Sequence, residues 1–225
     1  RAEGIDCDAR QTGWLQPAYG KEAANMLRRR AAAWNALGRP VRFLSANAVQ
    51  HETSMAIYQG GLFDPSGGAI HPLKYLSGLA DAVTRRGGVI REQAEVTAVT
   101  RSENGWRVAF TGGELAAAVV ILATNAFTSG VAGRLGSTTV PLRVYQVATK
   151  PLSEAVVNRI SPNRLPVGDT RMNLFTYRLD RDNRLISGGM AINPVGAFRR
   201  VGNAVVDRLV AELGLETPPE VEVVW

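Results

Sequence analysis

One cysteine, Cys7, and two histidines, His51 and His71, stand in a chain of 225 residues. A lone thiol excludes a disulfide framework and every cysteine-rich metal pattern, and two histidines are too few for a multi-histidine centre. No metal is expected, and a reducing, cytoplasmic setting fits. Long apolar runs are also missing: none approaches the roughly 20 residues needed to cross a bilayer, and no signal-peptide pattern opens the chain, so no membrane partner is expected. Basic residues outnumber acidic ones, 26 against 20, for a net charge of +6. The two signs are interspersed, and the densest run, Arg28-Arg29-Arg30, lies in a helix-like segment where it reads as a solvated face. No aromatic-basic interleaving or recognition helix accompanies the charge, which argues against a nucleic-acid partner. Internal repeats and low-complexity segments are absent. With 45% hydrophobic and 20% charged residues, the chain belongs with folded globular proteins and is long enough for one large or two small domains.

What is there is organised around Gly60 to Ala126. Asp64-Pro65-Ser66-Gly67-Gly68 reads first as a turn, although such a glycine pair can also cradle a phosphate. Pro72 suits the first position of a helix, Leu73, Leu76, Leu79, Ala80 and Val83 recur at helical spacing, and Gly87-Gly88 closes it. One buried face is expected. A short strand at Val89-Ile90-Arg91 follows, then a hairpin of Glu95–Arg101 and Trp106–Thr111 turning at Ser102-Glu103-Asn104-Gly105, where Asn-Gly supplies positive φ. Val119-Val120-Ile121-Leu122-Ala123 is apolar without alternation, the pattern of a strand buried on both faces of a parallel sheet.

Earlier in the chain, residues 1–20 read as extended or irregular. Ala24, Leu27, Ala31 and Trp34 mark a helix over Lys21–Leu37, and Ser45 is an N-cap for a short helix running to about Gln50. Later, Phe127–Thr139 is a glycine-rich loop or loose helix, Val144–Thr149 alternates like a strand, and Glu154–Ile160 forms a short helix. A second hairpin joins Asn173–Leu179 to Arg184–Ser187 through Asp180–Asn183. Val201, Val205, Leu209 and Leu213 step along a last helix that Gly214 ends, and an extended tail follows.

The run DPSGGAIHPLKYLSGLADAVTRRGGVIREQAEVTAV, then an Asn-Gly hairpin and VVILATNA, resembles the FAD-dependent amine and amino-acid oxidases of the D-amino-acid oxidase type. PLRVYQVATKPL, DTRMNLFTYRLDRDNRLISGG and the terminal VEVVW are similar to that family's substrate-domain ribbon and the segment leading back to the flavin domain. The likeness covers essentially all 225 residues, rests on the order of the pieces, and points nearest to the gamma-glutamylputrescine oxidase-like enzymes. It implies a mixed α/β fold: residues 1–140 a partial FAD-binding, Rossmann-like domain, and residues 141–225 part of an antiparallel-sheet substrate domain with flanking helices. One departure matters. No G-x-G-x-x-G occurs, and that turn is what holds the FAD pyrophosphate at a helix N-terminus. The family's C-terminal flavin segment is missing as well, so the chain is expected to be a central piece of a longer enzyme, inactive and without FAD by itself.

The resemblance implies that Val96 and the turn Ala123-Thr124-Asn125 border the cofactor, and that Tyr145, Gln146, Tyr177 and Arg178 are the substrate-side residues. From the residues alone, Val96 implies packing and Thr124 or Asn125 a helix cap. An arginine fork would favour a carboxylate-bearing substrate, which directs attention to Arg143, Arg171 and Arg178. No catalytic residue is assigned, because aligning a C–H bond on a flavin does not require an acid or base of one fixed type. The implied activity is oxidation of the C–N bond of an amine or amino acid to an imine. Two other readings stand beside it: a flavin-free ligand-binding or interaction module of the same fold, and a basic nucleic-acid-binding domain.

Overall fold

The computed structural model describes residues 3–128, 130–131, 133–138, 142–190 and 195–225. Pro141, where the substrate portion was expected to begin, and Thr139, the end of the expected loop, lie outside them. Contacts gather the chain into two units, Arg1–Leu79 with Val144–Trp225, and Ala80–Arg143.

The first unit is built on an eight-stranded sheet. Its strands are β1 (Trp14–Pro17), β2 (Arg42–Leu44), β3 (Gly61–Asp64), β7 (Val144–Pro151), β8 (Val167–Gly168), β9 (Thr176–Leu179), β10 (Arg184–Met190) and β11 (Val221–Val224). Their order across the sheet is β11-β7-β10-β9-β8-β1-β3-β2. All neighbours run antiparallel except β1 and β8. Three strands from the first 64 residues therefore extend the same sheet as the last 82, joined where the Leu15 N–H donates to the Pro166 carbonyl at 3.0 Å.

Three helices cover this sheet. In α1 (Lys21–Ala36), Ala24, Leu27 and Ala31 are buried as their spacing predicts and pack with Val41 and Leu62. Trp34 is exposed instead. In α4 (Glu154–Ile160), Ser153 caps the Val156 N–H, and Val157 and Ile160 enter the main core. In α5 (Ala197–Leu213), Val201, Val205, Leu209 and Leu213 are buried and Gly214 ends the helix at φ 60°. The short helix α2 (Ala46–Thr53) is capped by Ser45, whose Oγ accepts from the Ala48 N–H.

Helix α3 (Pro72–Arg85) has the expected limits, but not the expected buried face. Leu73 and Leu76 are 65% and 63% exposed, Leu79 and Val83 are exposed too, and only Ala82 is buried. The helix forms from its local signals, while the described residues leave much of its apolar side open.

The second unit contains a three-stranded meander, β4 (Val96–Ser102), β5 (Gly105–Phe110) and β6 (Gly113–Ala117). Its first hairpin turns at the expected residues, with Ser102 opposite Gly105. Gly105 has φ 139°, and a Cβ there would lie 2.5 Å from the Ala117 carbonyl oxygen, so the turn requires glycine. The third strand was not expected. Two other strands were expected and are not formed: Val89-Ile90-Arg91 is irregular, and Val119–Ala123 is without regular structure and unpaired, with Val119 and Ile121 74% and 84% exposed. A strand buried on both faces needs neighbours at both edges for its N–H and C=O groups, and no described strand pairs with it.

Candidate active site

Strands β7, β9 and β10 put alternate side chains on opposite faces of the sheet, and the two faces differ. Tyr145, Val147, Tyr177, Leu179 and Leu185 belong to the main core. Tyr145 meets Phe198 of α5 edge-on at 5.3 Å between ring centroids. The Tyr177 hydroxyl donates to the Ile160 carbonyl at 3.1 Å, and burial pushes its pKa up. These two expected substrate residues are thus enclosed.

The opposite face is open. Across it Arg178 of β9, Ile186 of β10, Ala148 of β7 and Val223 of β11 are successive cross-strand partners in one row. The next row holds Gln146, opposite Gly188 and bonded through its backbone to Trp225 in both directions, at 2.9 and 3.0 Å. A Cβ at Gly188 would lie 2.6 Å from the Gln146 Nε2, so a side chain there would displace the amide. Gln146 and Arg178 are therefore the two expected residues that the fold brings to a common open surface.

The row from Arg178 to Val223 floors a cavity of about 540 Å3, whose other walls come from Asp8, Arg10 and the segment Ala69–Lys74. Hydrogen bonds fix that wall. Arg10 and Ala69 exchange backbone bonds at 2.9 Å, the His71 N–H donates to the Cys7 carbonyl at 2.7 Å, and His71 Nδ1 accepts from the Lys74 N–H at 3.3 Å. The Asp8 carboxylate accepts from Lys74 Nζ at 2.8 Å and from Arg181 Nη1 at 2.9 Å, and the Lys74 bond is the main cause that lowers its pKa. Arg184 bonds Asp182 at 2.8 Å and Glu222 at 2.6 Å.

Arg178 differs from these cations. It is half-buried and its side chain makes no hydrogen bond or ion pair among the described residues; burial lowers its pKa, and the charge of Asp180 offsets this in part. A guanidinium stays charged under such a shift. Arg143 is exposed at the end of the second unit. Arg171 is committed elsewhere, to Asp169 and Glu212 at 2.5 Å each. Arg10 carried no signal in the sequence, and only its bridge to Ala69 brings it to this cavity. Among the described residues no cluster of acids, histidines and cysteines could hold a metal ion.

The chain matches the family described as DAO, FAD dependent oxidoreductase, over residues 1–223. It belongs to that family. It is 32% identical over 220 residues to gamma-glutamylputrescine oxidoreductase of Escherichia coli (strain K12), a match covering 97% of this chain and 50% of that protein. It thus spans about half the length of this curated relative. The fold is shared with glycine oxidase from Geobacillus kaustophilus, at a TM-score of 0.75 and 20% identity over 99% of this chain and 60% of that one. L-proline dehydrogenase from P. horikoshii superposes with a TM-score of 0.77 at 18% identity, covering 100% of this chain and 61% of its own.

FAD is the cofactor of the family, so the residues expected beside it can be tested for fit. Val96 opens β4 opposite Phe110, and Val96, Ala123, Thr124 and Asn125 are all exposed. Thr124 Oγ1 lies 2.6 Å from Thr128 Oγ1, and Asn125, at φ 46°, begins only a single 3-10 turn to Phe127. A dinucleotide pyrophosphate is held by converging N–H groups at the start of a helix. These four residues do not form such a cradle.

Proposed function

We propose that this chain is the central, mainly substrate-binding part of an FAD-dependent oxidoreductase that oxidises the C–N bond of an amine or amino acid to an imine. In this reading residues 141–225 supply the substrate sheet and residues 1–140 a partial FAD-binding portion. The observation that carries it is the open face of β9, β10, β7 and β11, where Arg178 and Gln146 stand beside an apolar floor in a chain of this family. Oxidation of an amine requires its C–H bond to be held in one orientation, which a rigid sheet with few polar groups achieves better than a loop. Gln146 and Arg178 are the contact residues. Tyr145 and Tyr177 act from behind, fixing β7 and β9 through Phe198 and Ile160. The 225-residue chain itself is inactive, since Val96, Ala123, Thr124 and Asn125 leave the nucleotide side open.

The test is to join the chain to segments that complete the dinucleotide fingerprint and the C-terminal flavin segment, load the product with FAD, and follow consumption of amines and amino acids together with imine or carbonyl product. Oxidation by the completed protein and none by the 225-residue chain is the expected result. A completed protein that holds FAD but oxidises no amine or amino acid would sink the proposal.

A further inference from the structure

Residues 21–42, helix α1 with the turn and the edge strand β2 that follow it, hold six cationic side chains, Lys21, Arg28, Arg29, Arg30, Arg39 and Arg42, and one carboxylate, Glu22. The rest of the chain carries 20 cations against 19 carboxylates, so nearly all of the excess positive charge sits here. All six cations are exposed, and none forms an ion pair among the described residues. Two rest on aromatic rings instead, Arg28 at 4.0 Å from the centre of Phe43 and Arg42 at 5.1 Å from that of Phe63, and Arg30 Nη1 donates to Gln16 Oε1 at 3.0 Å. A guanidinium stacked on a ring keeps its N–H edge free for an anion.

This charge has an apolar companion. Ala24, Leu27 and Ala31 turn one side of α1 into the core. The positions opposite them, Met26, Arg29, Ala33 and Leu37, are spaced by three, four and four and form the outer crest. Leu37 is 74% exposed, and Trp34, one turn before it, is 44% exposed. Gly38, at φ 73°, turns the chain there, and the Arg39 N–H donates to the Trp34 carbonyl at 3.0 Å, which holds Arg39 at the same end. Periodicity assigns Trp34 to the buried side of α1, so the sequence shows a solvated arginine run and not this mixed surface.

A convex ridge of this kind fits a flat anionic surface. Against a nucleic-acid backbone Leu37 would face charge, whereas at a bilayer interface leucine enters the acyl boundary, tryptophan sits at headgroup level and arginine reaches the lipid phosphates. We propose that the outer face of α1 docks the protein on a membrane surface rich in anionic phospholipid, with Arg29, Arg30 and Arg39 on the headgroups and Trp34 and Leu37 inserted. Among the described residues no helix is long and apolar enough to cross a membrane, so this contact is peripheral and reversible. It goes beyond the oxidase reading and does not depend on it, since it uses neither the cavity nor the flavin side.

The test is co-sedimentation of the 225-residue chain with vesicles of phosphatidylcholine alone and of equimolar phosphatidylcholine and phosphatidylglycerol. Binding is expected on the mixed vesicles only, and should fall as salt screens the arginines. Arg29→Gln and Arg39→Gln should each lower the partition coefficient about fivefold, Leu37→Ser should lower it about threefold, and Glu22→Gln should raise it. Arg107→Gln, which alters a cation paired with Glu114 on the meander, should leave it unchanged. Tryptophan emission should shift to the blue on the mixed vesicles and lose that shift in Trp34→Phe, which identifies the inserted ring among the four of the chain. Every side chain replaced is exposed, and circular dichroism on each variant checks the fold. A chain that stays in solution with the mixed vesicles overturns the proposal, as does binding that survives Arg29→Gln and Arg39→Gln together. Duplex DNA or polyglutamate held as tightly as the vesicles, with no loss on them from Leu37→Ser, overturns it too and marks a general polyanion surface.

Discussion

Asp169 is a carboxylate with no exposed side-chain surface, and four donors reach it. The N–H groups of Arg171 and Phe175 reach Oδ1 at 3.1 and 3.0 Å, and Arg171 Nε and the Tyr58 hydroxyl reach Oδ2 at 2.5 and 3.1 Å. Arg171 also holds Glu212 of α5, so one charged cluster ties the loop after β8 to α5 and to the segment between α2 and β3. Burial opposes the Arg171 charge, but the bonds from Glu212 and Asp169 outweigh it and raise its pKa. Asp169→Asn keeps the shape, removes the charge facing Arg171, and puts an NH2 group where an acceptor is needed. A loss of about 3 kcal/mol is expected from urea denaturation. Nothing in the chain order announces this cluster, since Tyr58, Asp169 and Glu212 are far apart in sequence. Its tyrosine has a pH signature. Burial, then the Asp169 charge, raises the Tyr58 pKa, and burial raises that of Tyr177. An unfolded tyrosine ionises near 10.0, so above that pH the unfolded chain releases protons that the native chain keeps. Stability is unaffected by these groups below pH 10 and should fall above it by about 1.4 kcal/mol per pH unit for each tyrosine. Tyr177→Phe should reduce the alkaline slope by one such increment, measured as urea midpoints between pH 9.5 and 11.

At the scale of elements, local signals and tertiary burial part company. Helices α1, α3, α4 and α5 and both hairpins stand where capping residues, turn residues and periodicity place them, because those signals act within a few residues. Burial depends on what lies opposite. Helical spacing of apolar residues buries Val201, Val205, Leu209 and Leu213 in α5 but leaves Leu73, Leu76, Leu79 and Val83 of α3 exposed. Leu209→Ala should therefore cost about 3 kcal/mol, while Leu76→Ala in the same chain should change stability by less than about 0.5 kcal/mol. Equal losses in thermal or urea unfolding would show that the α3 face is covered. The candidate site was legible only in part for a related reason. Period-two alternation separates Tyr145 and Tyr177 from Gln146 and Arg178, but which set faces the helices depends on α5 lying against β7, β10 and β11. That contact is set by residues some 20 to 60 positions away.

For the whole molecule, the question is which surfaces the described chain completes and which it leaves open. The first unit has a continuous core from Leu15 to Leu215, whereas in the second only Ala82 and Val108 are buried among its described apolar residues. The segment Val119–Ala123, apolar on both sides yet unpaired, ends at the turn expected beside the nucleotide, and that turn stands exposed. Tight dinucleotide binding needs N–H groups converging at a helix start and an acidic side chain for the ribose. A single open side supplies too few contacts to offset the cost of immobilising a ligand as large as FAD. The 225-residue chain should therefore bind FAD more weakly than about 1 μM, a threshold near −8 kcal/mol. The same chain joined to a segment carrying G-x-G-x-x-G should bind it at or below that concentration. Fluorescence titration reads both, and hydrogen exchange adds a second observable: Val119–Ala123 should exchange freely in the short chain and become protected in the longer one as it acquires strand neighbours. Micromolar binding by the short chain would place the cofactor site elsewhere, and a longer chain that bound no FAD and left the segment unprotected would favour a flavin-free module.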